Sequence, residues 1–184
     1  ARDVAEFELV GPALVRGYRL GFTRYSRTRR GGVADLVPDM AGVVEGVLYR
    51  LPLEQLAALD EREGAPDNYR RDFIAVRTPD GRMYDRVLTY VVADKAAEEI
   101  PPHPDYVATI WSGATAYLSP AYVEQISAHV EQLMAKKAAK EQRKQDARAN
   151  KSRRGRENNN GGRGARRRRS AAVVCRRRRP GEDR

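Results

Sequence analysis

Short stretches of alternating apolar and polar residues dominate the first half of the chain, and a helical stripe of apolar residues marks the segment after residue 119. Residues 13 to 23 (ALVRGYRLGFT), 32 to 37 (GVADLV) and 43 to 51 (VVEGVLYRL) read as strands. A basic loop, Arg24 to Gly31, separates the first two and is expected to bend at Gly31-Gly32. Two further strands, 69 to 78 and 82 to 93, flank Pro79-Asp80-Gly81, a turn signal that predicts a hairpin. Between the third and fourth strands, Leu51-Pro52 opens a helix over 52 to 63, and Gly64 with Pro66 stops it. Five strands with one inserted helix predict a small, mostly antiparallel α+β domain, either open or closed into a barrel. Pro101-Pro102-His103-Pro104 then holds an extended connector ahead of a short helix over 105 to 116. Ser119 and Pro120 supply a cap and first-turn pair for a long helix, with Tyr122, Val123, Ile126, Val130, Leu133 and Met134 on one stripe. Past Met134 no large apolar residue remains to dock, so the helix is expected to run into solvent and fray.

The inserted helix ends in an acidic knot, Asp60-Glu61-Arg62-Glu63. With Leu56 set at zero and roughly 100° per residue, Leu53 falls near +60°, Leu59 near −60° and Glu63 near −20°. Glu63 is thus on the apolar face. Glu61 and Arg62 fall roughly 120–140° away and face water, while Asp60, near +40°, sits at the inner edge. A negative charge in a helix's last turn also opposes the macrodipole, so stability does not ask for Glu63. Two readings stay open: Glu63 is a carboxylate aimed at a site, or the last turn frays or pairs Glu63 with Arg70 or Arg71.

Composition separates two regions. Residues 1 to 134 hold 15 Lys+Arg against 20 Asp+Glu, whereas residues 135 to 184 hold 20 against 5, so the basic character of the chain belongs to its end. The single cysteine, Cys175, excludes an internal disulfide framework and suits a reducing compartment. No apolar run approaches the ~20 residues of a membrane span and no signal peptide is visible, which together predict a cytoplasmic protein with no membrane partner. Phosphate-binding glycine loops and Cys/His clusters with zinc spacing are absent from the sequence, so nucleotide and metal readings lack support. His103 and His129 lie far apart with no cysteine nearby and read as ordinary surface or packed side chains; Trp111 and the tyrosines read as core aromatics.

The order of features is distinctive: GPALVRGYRLGFTRYS, GGVADLVP, GVVEGVLYRL, LPLEQLAALDEREG with Tyr69 shortly after, a hairpin ending LTYVV, and PPHPDYVATIWSGA. This series, over roughly residues 9 to 130, resembles the gamma-glutamylcyclotransferase-like family. The resemblance implies a small mixed β-barrel and an activity that releases an amine or amino acid from a gamma-glutamyl compound, leaving 5-oxoproline and using no cofactor or metal. It also implies that Glu63, immediately before Gly64, is the catalytic acid/base, and that Tyr69 and Tyr106 contact substrate. Family members carry an N-terminal strand ending in a tyrosine-glycine-serine-asparagine loop that holds the substrate's α-carboxylate. That loop does not occur between Ala1 and Arg184, and its place is expected upstream of Ala1.

The domain organisation expected is therefore a cyclotransferase-like domain over 1–134, a basic helical extension over 135–150 and a disordered Arg-rich tail over 151–184. Residues 136 to 184 form a polyelectrolyte able to bind nucleic acid or another acidic partner non-specifically through phosphate contacts. No aromatic residue is interleaved among the cations for base stacking. Two functions stand side by side: the cyclotransferase reaction on a small-molecule gamma-glutamyl substrate, and a non-catalytic barrel binding module with an RNA-binding or acidic-partner-binding tail. Nothing in the sequence points to an oligomeric state.

Overall fold

The computed structural model describes residues 7–164, the side chains of residues 153–164 excepted. A four-stranded antiparallel sheet forms the centre, in the order β2-β1-β3-β4, with β1 Glu8–Ser26, β2 Gly31–Arg50, β3 Tyr69–Arg77 and β4 Met83–Val92. The three strands expected before residue 52 are two long ones. β1 pairs with β2 along its whole length, and register shifts at Leu9/Gly11, Arg16/Tyr18 and Phe22/Arg24 bend the ribbon without ending it. The hairpin turns at Arg27 to Arg30, with Arg30 at φ 57°, rather than at Gly31-Gly32. Those two glycines serve close approach instead: a Cβ on Gly32 would collide with the Ile100 carbonyl, and the Gly32 N–H donates to the Pro101 carbonyl at 3.1 Å.

The sheet is not closed into a barrel, which corrects the barrel expected from the family resemblance. β1 and β3 share only the Leu14–Arg77 pairing, and the outer strands β2 and β4 form no ladder. They are tied through a side chain: the Val92 N–H donates to Asp35 Oδ1 at 2.9 Å. Asp35 is fully buried, accepts from Thr23 Oγ1 at 2.5 Å and pairs with Lys95. A buried carboxylate persists because both of its oxygens are hydrogen-bonded and Lys95 balances its charge.

A 3-10 turn, Leu53–Gln55, leads into α1 Leu56–Glu63, and α2 Pro104–Tyr117 and α3 Pro120–Gly164 follow the sheet. Tyr122, Ile126, Val130 and Leu133 of α3 join Ala13, Val15, Phe22, Val44, Leu48, Ile74 and Val76 in one core, each large side chain contributing about 1.5–3 kcal/mol on burial. Ser119 starts α3 by accepting the Tyr122 N–H at 3.2 Å while donating to Glu45 of β2 at 2.6 Å, which fixes the helix to the sheet. The chain divides between Lys137 and Ala138. Residues 138–152 are exposed throughout. The helix runs on to Gly164, past the residue 150 at which helix was expected to give way, because no proline interrupts it; the remainder of the Arg-rich tail, 165–184, lies outside the described residues. No helix among the described residues is long and apolar enough to cross a membrane.

Candidate active site

α1 places its carboxylates differently although they are close in sequence. The helix closes on Gly64, which adopts φ 65° and ψ 39° and donates back to the Asp60 and Glu61 carbonyls. That left-handed cap costs glycine little, and a Cβ there would meet the Asn68 side-chain amide. Asn68 is itself held by the Arg24 guanidinium, so the turn after Glu63 is braced from β1. Asp60 reaches the hairpin: Arg71 Nε donates to its Oδ1 at 2.8 Å, a second Arg71 nitrogen engages Oδ2, and the Tyr90 hydroxyl donates to Oδ1 at 2.6 Å. The Arg71 and Tyr90 hydrogen bonds hold the Asp60 carboxyl below its ordinary value.

Glu63 has neither arginine. Arg71 is taken by Asp60 and Arg70 lies 3.9 Å from Asp72, so the pairing alternative for Glu63 is not realised among the described residues. Glu63 is half-buried, and burial pushes its pKa up, with the Arg62 charge a smaller opposing influence. Glu61 and Arg62 are exposed. Leu53, expected on the inner face, is 80% exposed, because the 3-10 turn it occupies rotates it off the α-helical wheel.

Glu63, Tyr69 and Tyr106 line one cavity of about 650 Å³, together with Leu48, Leu59, Tyr84 and Tyr90 and with Arg50 and Arg86. Both site tyrosines grip the same residue of β2. The Tyr69 hydroxyl donates to the Ala34 carbonyl at 3.4 Å, and the Tyr106 hydroxyl accepts the Ala34 N–H at 3.2 Å. Tyr69 therefore keeps lone pairs to offer, and Tyr106 keeps its proton. Burial, with the Tyr106 and Glu63 charges behind it, lifts the Tyr69 pKa to about 12.

The two histidines are elsewhere. His103 caps α2, its Nδ1 accepting the Asp105 N–H at 3.2 Å. His129 stacks on Phe22 with ring centroids 6.0 Å apart, and its Nε2 lies 3.0 Å from Glu99 Oε2. No cluster of three His, Cys, Asp or Glu side chains suited to a metal ion occurs among the described residues. Sequence reasoning missed Asp35, whose signal was a carboxylate at the inward-facing position of the GVADLV alternation, between Val33 and Val37.

Known proteins share this architecture. The family model for gamma-glutamyl cyclotransferase, AIG2-like, matches residues 2–108. A protein of Bacillus subtilis (strain 168) named "Putative gamma-glutamylcyclotransferase YkqA" is 40% identical over 125 residues, 67% of this chain and 43% of its own. The YkqA crystal structure superposes with a TM-score of 0.61 at 38% identity, over 67% of this chain and 45% of that one. A solved gamma-glutamyl cyclotransferase gives 0.62 at 26% identity, over 66% and 74%. This chain spans less than half the length of YkqA.

Proposed function

The chain belongs to the gamma-glutamyl cyclotransferase, AIG2-like family, and from that premise we propose that it cyclises a gamma-glutamyl compound, with Glu63 moving the proton. The substrate's α-nitrogen attacks its own γ-carbonyl carbon. A C–N bond forms, the bond from that carbon to the leaving nitrogen breaks, and the products are 5-oxoproline and a free amine or amino acid. One proton leaves the attacking nitrogen and one must reach the departing nitrogen, so a single carboxylate between them serves as base and then as acid. A pKa raised by burial brings Glu63 closer to neutrality, where it exchanges protons in both directions most readily. Tyr69 accepts a hydrogen bond from the neutral α-amine and so orients its lone pair toward the γ-carbonyl. Tyr106, its own lone pair occupied by the Ala34 N–H, donates to the oxyanion that develops on the γ-carbonyl. Arg50 and Arg86 at the cavity wall offer charge to the substrate's carboxylate. Ring closure is intramolecular, so the cavity's remaining work is to hold the substrate folded back on itself. The reaction balances without a cofactor.

The observation that carries this reading is the meeting of a half-buried Glu63, in no ion pair with Arg70 or Arg71, with Tyr69 and Tyr106 in one cavity. Incubating the chain with gamma-glutamyl-alanine and a panel of gamma-glutamyl amines, and assaying 5-oxoproline, tests it. Turnover that vanishes in Glu63→Gln supports the assignment; equal turnover by that variant overturns it.

A further inference from the structure

Between residues 138 and 152, α3 carries its positive charge on one side. At about 100° per residue, Lys140, Arg143, Lys144, Arg148 and Lys151 fall within an arc of about 140°. Opposite them lie Ala138, Gln142, Gln145 and Ala149. Asp146 is also on the far side, where Gln142 Nε2 donates to its Oδ1 at 2.9 Å; Glu141 alone borders the basic arc. All of these side chains are exposed, and none serves the cavity around Glu63. A solvated helix stabilised by i, i+4 pairs would spread both signs around its circumference. Here five cations share one side, with Glu141 at its edge and Asp146 beyond it.

We propose that residues 140–151 form a docking face for double-stranded DNA, held by backbone phosphates without base readout. The five cations span about 16 Å of helix axis, and a DNA duplex presents one phosphate charge per ~1.7 Å of its own. An α-helix fits the ~12 Å major groove of B-form DNA, whereas the A-form RNA major groove is too deep and narrow to admit one. The face has no aromatic side chain on which unpaired bases could stack, which disfavours single strands. The opposite face has no residue larger than glutamine, so it lacks the Leu, Phe or Trp an interfacial membrane helix buries.

The test uses the full chain and a variant with three neighbouring pairs exchanged: Q142R/R143Q, K144Q/Q145K and R148A/A149R. Composition, net charge and helix propensity are unchanged, but three of the five cations leave the arc. Fluorescence anisotropy on a labelled 20-base-pair DNA duplex, titrated between 50 and 200 mM salt, is expected to show weaker binding by the exchanged chain. Its salt slope is shallower by about 2 to 3, which is on the order of 40-fold in affinity across that range. Circular dichroism verifies that both chains keep the same helicity. Equal affinity and slope for the two chains overturn the proposal, because charge alone would then account for binding. So does tighter binding of the parent to duplex RNA, to single-stranded DNA or to phosphatidylserine vesicles than to duplex DNA.

Discussion

Replacing Glu63 by Gln separates catalysis from stability, because the two respond in opposite directions. Glu63 is the last residue of α1, directly before the left-handed cap at Gly64, so its charge opposes the partial negative charge of the helix end. Removing that charge relieves about 0.3–1 kcal/mol at neutral pH for a partly exposed side chain. Burial adds in the same direction, since it raises the folded-state pKa above the ordinary 4.5. Below pH 4.5 the carboxyl is protonated in folded and unfolded chains alike, and the Gln variant gains nothing from losing the charge. As pH rises, the unfolded side chain ionises first, wild type loses stability until the folded pKa is passed, and the variant does not. The variant is therefore expected to be at least as stable as wild type at pH 7, with the gap closing toward pH 4. The rate of the proposed cyclisation should fall by about 10²–10⁴, or roughly 2.7–5.4 kcal/mol of barrier. Urea midpoints at the two pH values, beside 5-oxoproline release, read both effects. A variant that loses activity together with several kcal/mol at pH 7 would show Glu63 to be a structural carboxylate and sink the reasoning.

Gly64→Ala forces a side chain into φ 65° against Asn68 and should cost about 1–2 kcal/mol in urea unfolding, with a matching loss of turnover as Glu63 shifts. Asp60→Asn gives up the negative charge and the second oxygen that Arg71 engages. Because the Arg71 and Tyr90 bonds hold the folded pKa below 3.8, the variant should be less stable than wild type above that pH and converge with it as pH drops further, which acid titration monitored by circular dichroism reads. Tyr69→Phe should lower kcat/KM while leaving any alkaline limb of the rate profile below pH 10 in place, since a phenol with a pKa of about 12 does not titrate there; loss of that limb would assign it to Tyr69 after all. Asp35→Ala strands Lys95 and the Val92 N–H and should destabilise the fold by about 2–4 kcal/mol, less than for a fully buried pair because Lys95 keeps some exposure.

What the sequence disclosed and what it hid divide along the range of the interactions. Glu63 was legible because a helix's period is local: a Pro start, a Gly stop and two leucines are enough to say which side a carboxylate is on. The α3 core stripe followed from the same regularity, and four of its six apolar residues are buried. Strand ends were less legible. The break expected between 37 and 43 is absent, because Pro38 to Gly42 carries little apolar signal yet stays in the β2 ribbon. Openness of the sheet was not legible at all, since it depends on whether β2 and β4 pair across dozens of residues of sequence. Likewise the joint hold of Tyr69 and Tyr106 on Ala34 links residues 35 and 72 positions apart, and no local pattern encodes it.

The contrast between Asp60 and Glu63 explains how one short helix supplies both a brace and a reactive group. The two are three residues apart, so they stand on adjacent lines of the helix surface about 4.5 Å apart along its axis. Asp60 meets Arg71 and Tyr90, whose combined donors fill its oxygens and favour its ionised form. That same pairing occupies the guanidinium that sequence reasoning had offered to Glu63. Had Arg71 paired with Glu63 instead, the pKa of Glu63 would be drawn down and the carboxylate would become too weak a base to take a proton from an amine. Asp60 thus acts on the proposed chemistry without touching substrate: by holding Arg71 at the hairpin it keeps the cavity's carboxylate unpaired. Two carboxylates whose surroundings push their pKa values apart are the signature of divided labour in acid–base sites, and here the division follows from which of them the β3–β4 hairpin can reach.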